Sequence, residues 1–296
     1  MRPPFTALLR LGFAPGMLLL FNAAAWVCVQ ANTPWALPLL LALAATLSWA
    51  AERCIPYQAD WNRPQGDTAR DLSHALVNEG LCALGIWALP QVQAWLPHAR
   101  LWPAQWAPGW QWLLAVIAAD LGITLMHRAS HHVPVLWRFH AVHHSVTRMH
   151  GLNGLLKHPV HLMLEMAASV LPLVLLGLPQ AVATLLAFSI ALQLLLQHSN
   201  ADMRTGPLLK LLALAPYHRF HHLRSAREGN VNFGLFLTLW DRLLGEAVED
   251  PGRRFQSADL GIEDRPDYPV AYLQQLLEPL RAQERPERLS ETAGGH

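Results

Sequence analysis

Six apolar stretches set the first limit on how this chain can fold. They run over about 12–31, 35–51, 74–96, 110–127, 157–177 and 179–197. At 1.5 Å per residue, a helix of about 20 residues crosses a hydrocarbon core roughly 30 Å thick. Backbone polar groups have no water to bond inside a bilayer, so each run must satisfy them internally, as a helix. The third run is the weakest, because Asn78, Glu79, Gln91 and Gln93 interrupt it. Asp120 and Glu165 are almost the only charges in the others. Short uncharged turns, Ala31–Pro34 and Gly177–Pro179, predict two tight helical hairpins. The expected fold class is an all-α polytopic membrane protein. Pro207–Pro216 is too short to span and predicts a helix lying in the interface.

Charge supports the same topology. With a cytoplasmic N-terminus, six spans place every one of the 22 Lys and Arg residues except Arg100 on the inner side. The histidine clusters, which played no part in choosing that topology, fall on the same face. The net charge of +1 leaves no electrostatic footprint for nucleic acid. Cys28, Cys54 and Cys82 are scattered and odd in number, which argues against a disulfide framework. The last dozen residues read as a polar, disordered tail after a helix around 269–282.

Sixteen histidines are far more than such a chain needs, and most lie between 127 and 222. His127 and His131 are four apart at the end of the fourth run, on one helical face; His132 points about 100° away. His140, His143 and His144 repeat the spacing i, i+3, i+4, as do His218, His221 and His222. His198 ends the sixth run. A lone histidine is most often a surface or hydrogen-bonded residue, but three clusters at helical spacing on one side point to metal. One ion takes four to six ligands, so nine histidines imply two ions. Neutral imidazole suits iron, zinc, copper or nickel. A redox metal beside apolar helices suggests oxygen activation, because acid–base groups alone do not attack an unactivated C–H bond. Two other readings stay open here. A metal transporter would need polar groups along a path through the spans. A zinc hydrolase would need a glutamate beside the metal, and no histidine box contains one.

Asp120 lies two helical turns before His127 and is expected to hydrogen-bond a ligand imidazole. Asn232 is expected to fix a loop or bond a ligand histidine. Asp241 of Trp240-Asp241-Arg242 is expected to pair with an arginine. His74 is expected near a helix cap, and His98, His150 and His296 at the surface. His158, His161 and Asp202 are possible additional ligands.

The ordered set of motifs resembles the fatty acid hydroxylase superfamily, which includes sterol desaturases and sphingolipid hydroxylases. The pieces are Asp120, His127-Arg128 with His131, Leu136 to Ser145, Gln197 to Asn200, His218 to His222, Asn230 to Gly234 and Trp240 to Gly245. The chain departs from the family pattern at Thr124 and Leu125, at Leu223 and at Glu246. The resemblance implies a cytoplasmic helical cap over the membrane helices, carrying a multi-histidine di-metal site. It implies His127, His131, His140, His143, His144, His198, His218, His221 and His222 as ligands to two iron ions, with Asp120 and Asn232 supporting them. It also implies dioxygen as co-substrate, a lipid substrate from the bilayer, and an external electron donor of ferredoxin or cytochrome type. The expected organisation is a membrane hairpin at 1–51, a catalytic region at 52–246 and a cytoplasmic tail at 247–296. The expected location is the inner or plasma membrane, with both termini and the histidine boxes cytoplasmic.

Overall fold

Each apolar run becomes a helix, as backbone satisfaction requires. The computed structural model describes residues 3–95 and 101–281; His98, Arg100, His296 and the expected disordered end lie outside that range. Helix α1 covers Pro3–Gln30 and α2 Leu37–Cys54, joined by a tight turn in which Asn32 takes a left-handed φ of 55°. Helix α3 covers Thr68–Trp95, and α4 covers Pro108–His132. Helix α5 follows at Pro134–His144, with Pro134 opening it. The fifth run divides into α6, Pro159–Ser169, and α7, Leu171–Leu176; Pro172 in the first turn of α7 lacks the N–H that would continue the α6 ladder. Helix α8 covers Gln180–His198. Among the described residues there is no strand, only isolated bridges.

Six helical segments are long and apolar enough to cross a membrane: Phe5–Gln30, Pro34–Cys54, Thr68–Trp95, Pro108–His132, Pro159–Leu176 and Gln180–His198. Leu19, Leu20, Trp35, Trp87 and Trp95 are each two-thirds or more exposed, a surface suited to lipid rather than water. The protein is an integral membrane protein.

Helix α8 is the axis of the bundle. It is buried along nearly its whole length and packs against α1, α2, α3 and α4. The first hairpin packs as expected, α1 on α2. The second turn is tight, with Gly177 at φ 97°, but α6 packs principally on α4 while α8 runs to the centre. Gly122 permits the α4–α6 approach, since a Cβ there would lie 2.4 Å from the Ala168 carbonyl oxygen.

Beyond α8 the chain folds into short elements over the ends of the spans that carry the histidines. These are α9 at Ala215–His218, α10 at Ala226–Gly229, α11 at Leu239–Leu244 and α12 at Tyr272–Leu277. The interfacial helix expected over 207–216 does not form. Gly206–Lys210 is a single 3-10 turn, and Leu212 then bridges Leu237, so this stretch anchors the loop before α11. His74 is not at a cap but inside α3, buried, with ring nitrogens on Lys157 O (3.0 Å) and Gln275 Oε1 (2.9 Å).

Candidate metal centre

Three helix ends and one turn converge at one end of the bundle. The end of α4 brings His127 and His131, α5 brings His140, His143 and His144, and the end of α8 brings His198. The third box is not a continuous helix: His218 ends α9, and His221 and His222 follow in a turn closed by His221 N–H on His218 O (3.0 Å).

The nine histidines fall into two groups. His127, His131, His140, His144 and His221 form one; His143, His198, His218 and His222 form the other. Within each group the ligand atoms lie within 4.8 Å of one another. The two HxxHH boxes are therefore split, and split in opposite senses. His140 and His144 join the first group while His143 joins the second; His218 and His222 join the second while His221 joins the first. On a helix, i+3 and i+4 point about 100° apart. The single shared face expected for His140, His143 and His144 is thus two directions, one per group. His132 belongs to neither and bonds the Arg128 carbonyl through Nδ1 (2.8 Å).

Hydrogen bonds fix the rings. His127, His143, His198 and His221 donate Nδ1–H to the carbonyls of Phe233 (2.8 Å), Leu156 (2.9 Å), Leu194 (3.0 Å) and Val231 (2.9 Å). His131 donates to Asn230 Oδ1 (2.9 Å). A ring that donates from Nδ1 while neutral presents a lone pair at Nε2. For His143 and His198 both lone pairs then face each other, with Nε2 atoms 3.2 Å apart. His221 and His144 approach to 2.9 Å, and His131 and His144 to 3.2 Å, also through Nε2. His127 Nε2 is buried without a hydrogen-bond partner. Two converging sets of acceptors are poorly matched to one another and well matched to cations. Burial, the largest cause, also drives His140, His143, His144, His218, His221 and His222 well below the ordinary histidine range, so they stay neutral and able to ligate. Two imidazole-bound metal ions fit these residues.

Segment 230–233 supplies three of the five Nδ1 acceptors: Asn230 Oδ1, Val231 O and Phe233 O. It is held from all sides. Asn232, at φ 57°, donates to Tyr217 O and Val248 O (both 2.8 Å) and accepts from Val248 N–H (2.7 Å). Of its two expected roles, it fixes the loop and touches no histidine. Asp120 differs from expectation. Its carboxylate does not reach an imidazole; it accepts the N–H groups of Leu235 (3.1 Å), Phe236 (2.8 Å) and Leu237 (3.0 Å). Those donors lie in a loop with no ladder of its own, so they take a buried carboxylate. Asp241 likewise accepts from Phe233 N–H (2.8 Å), Gly234 N–H (3.0 Å) and Tyr217 O–H (3.1 Å), and not from an arginine. Burial pushes its carboxyl up to about 6 against the lowering effect of those N–H groups. Arg242 pairs with Glu249 instead. Gln193 and Gln197 on α8 donate to Leu235 O (2.9 Å) and Gly234 O (2.8 Å), completing the clasp.

The other expectations resolve individually. Asp202 pairs with Arg10 (3.1 Å) and Arg254 (3.8 Å) and is not in either group. His158 caps α6 and contacts Leu276 O (3.2 Å). His161 is buried beside the first group, its ring 4.4 Å from that of His140, but its Nε2 is on Ser130 Oγ (3.1 Å). His150 is not a free surface residue; it bonds Asp71 Oδ2 at 2.9 Å. Asp67, Asp71 and His150 form a third cluster of ligating type, already neutralised by Arg148 on Asp67 (2.6 and 2.7 Å) and Arg70 on Asp71 (2.7 Å). Glu246, where the chain departs from the family pattern, accepts the Arg128 Nε–H at both carboxylate oxygens (2.8 and 2.9 Å), tying the segment after α11 to α4. Sequence reasoning missed Lys157 and Gln193, and quoted Gln197 only as part of a motif. Asn230, quoted only as part of a motif, has a visible signal, an Asn-x-Asn pair eight residues after the last histidine box.

Comparison with known proteins places the chain. Residues 112–246 match the fatty acid hydroxylase family. The ornithine lipid hydroxylase OlsE of Rhizobium tropici is 35% identical over 246 residues, covering 80% of this chain and 73% of that protein. An alkylglycerol monooxygenase of Danio rerio is 31% identical over 140 residues, covering 47% of this chain and 31% of that protein. The human alkylglycerol monooxygenase is 26% identical over 219 residues, covering 73% and 47%. The chain thus spans less than half of either alkylglycerol monooxygenase. No solved structure matches. The region matched by the family contains all nine converging histidines and both clasping aspartates, and the chain belongs to the fatty acid hydroxylase family.

Proposed function

We propose that the chain is a lipid hydroxylase whose two histidine groups hold two iron ions. The observation that carries this is the convergence of nine neutral imidazoles into adjacent sets of five and four, without a carboxylate or thiolate in either. The relatives named as hydroxylase and monooxygenase favour hydroxylation over desaturation. Irons so bound supply activation of dioxygen and attack on an unactivated C–H bond. In balance, R–H, dioxygen, two electrons and two protons give R–OH and water. The chain has its own tasks in this. The Nδ1 acceptors orient the rings, segment 230–237 holds three of the five, and the apolar helices keep bulk water from the site. The lipid enters from the bilayer, and the electrons come from a separate carrier of ferredoxin or cytochrome type. The excess of Lys and Arg flanking the histidine side supports a cytoplasmic position for it, with the inner or plasma membrane as the location.

The test is metal and product analysis on the full chain. Purified protein loaded with iron should hold two per chain and, with dioxygen and a reductant, convert a lipid to a product heavier by one oxygen atom. A single tightly held zinc with no oxygen-dependent product would overturn the reading.

A further inference from the structure

An ion pair lies where the apolar interior meets the histidines. Lys157, just before α6, donates to Glu165 on α6 through Nζ and Oε2 at 2.5 Å, and both residues are buried. A buried pair inside a membrane bundle is costly and does not by itself argue for stability. Two cavities explain its position. One is largely apolar, between α3, α4, α6 and α8, and is lined by residues such as Leu162, Met166, Ile190 and Ala191. The other is bounded by His127, His140, His143, His198 and His218. Lys157 and Glu165 line both.

The polar end of the apolar cavity is incompletely satisfied. An ammonium carries three donors, and Glu165 is the one side-chain partner Lys157 Nζ has among the described residues. Asn78, which lines the same cavity, uses its amide N–H on Leu155 O and Lys157 O (both 2.9 Å), leaving its buried Oδ1 without a partner. The cavity therefore offers donors and an acceptor around the pair it shares with the histidine cavity, and its lining is otherwise apolar apart from Glu79, Cys82 and Ser169. Lys157 and Glu165 cancel within their pair, and Glu79 on α3 is the other carboxyl lining this cavity.

We propose that Lys157, Glu165 and Asn78 form a substrate subsite for a neutral group that both donates and accepts hydrogen bonds, a hydroxyl or an amide. The lipid then lies polar end inward, and the carbon oxidised is close to that group rather than far along the chain. This rests on the activity proposed above and assigns its substrate class and orientation.

The test uses the iron-loaded full chain in phosphatidylcholine nanodiscs, titrated with 1-hexadecanol or with hexadecane. Binding is read from the shift in thermal unfolding midpoint. The alcohol should half-saturate at about tenfold lower concentration than the alkane, the effect of one charge-assisted hydrogen bond. Lys157→Met should remove that preference. Because it strands Glu165, the double variant Lys157→Met with Glu165→Met is made alongside. The double variant should bind alcohol and alkane alike while retaining wild-type iron content. Equal binding of the two probes by the wild type, or a tenfold preference surviving in the double variant, would overturn the subsite. Iron content and oxygen-dependent product, assayed separately on the wild type, test the activity reading alone.

Discussion

Replacing Asp120 probes the metal centre without touching a ligand. Its carboxylate accepts three backbone N–H groups, from Leu235 and Phe236 at Oδ1 and from Leu237 at Oδ2. The side chain is fully buried, so water does not replace it. Asp120→Ala orphans all three donors at about 1–3 kcal/mol each, or about 3–9 kcal/mol if the loop does not relax. Total stabilities of about 5–15 kcal/mol make even the lower bound severe. Asp120→Asn is milder. It can keep the oxygen facing Leu235 and Phe236 but turns an amide N–H₂ toward the Leu237 N–H, for a loss of about 1–3 kcal/mol. Two to four residues earlier in the same segment, Phe233 O and Val231 O orient His127 and His221. Metal content should therefore fall with stability, in the order wild type, Asn, Ala. The assay is thermal unfolding of the iron-loaded protein in nanodiscs, with iron per chain measured on the same samples. If both variants keep the wild-type midpoint and iron content, the clasp does not support the centre and the reasoning fails.

Three further outcomes follow from the same geometry. His143→Ala leaves three imidazoles in its group whereas His144→Ala leaves four in the other, so His143→Ala should lose more metal per chain; equal losses by elemental analysis would contradict the five-and-four division. Gly154→Ala would set a Cβ 2.2 Å from Leu194 O and 2.9 Å from His198 Nδ1, and should cost about 1–3 kcal/mol and some metal, as overpacking does. Gly80→Ala on α3 meets nothing and should be neutral or stabilising by up to about 1 kcal/mol, so denaturation that failed to rank the two would refute the packing argument. Burial acts to raise the Asp67 carboxyl, but the hydrogen bonds and charge of Arg148 outweigh it and hold the group at about 2. A carboxyl lowered in the fold contributes stability above its unfolded value of 3.8 that is lost as pH falls toward about 2. Unfolding midpoints should drop across that window in the wild type and less so in Asp67→Asn; parallel profiles would exclude the linkage.

The sequence by itself determined the helices and the ligand type. Backbone groups in hydrocarbon have one local solution, so apolar length was enough to mark six spans, with Pro172 alone dividing one of them. Histidine spacing was equally legible, because it is set within single helices and turns. The partition into five and four was not, for it depends on where α4, α5, α8 and the 218–222 turn meet. Nor were the partners of Asp120 and Asp241, whose backbone donors lie 115 to 117 and 7 to 8 residues away in an irregular loop. A sequence shows that a buried carboxylate needs a partner; only packing decides which of many backbone N–H groups comes within 3 Å. The same holds for Lys157 and Glu165, eight residues apart and unremarkable as a pair until α6 turns both toward the histidines. Local periodicity supplied the histidines, and long-range contact decided how they are divided and held.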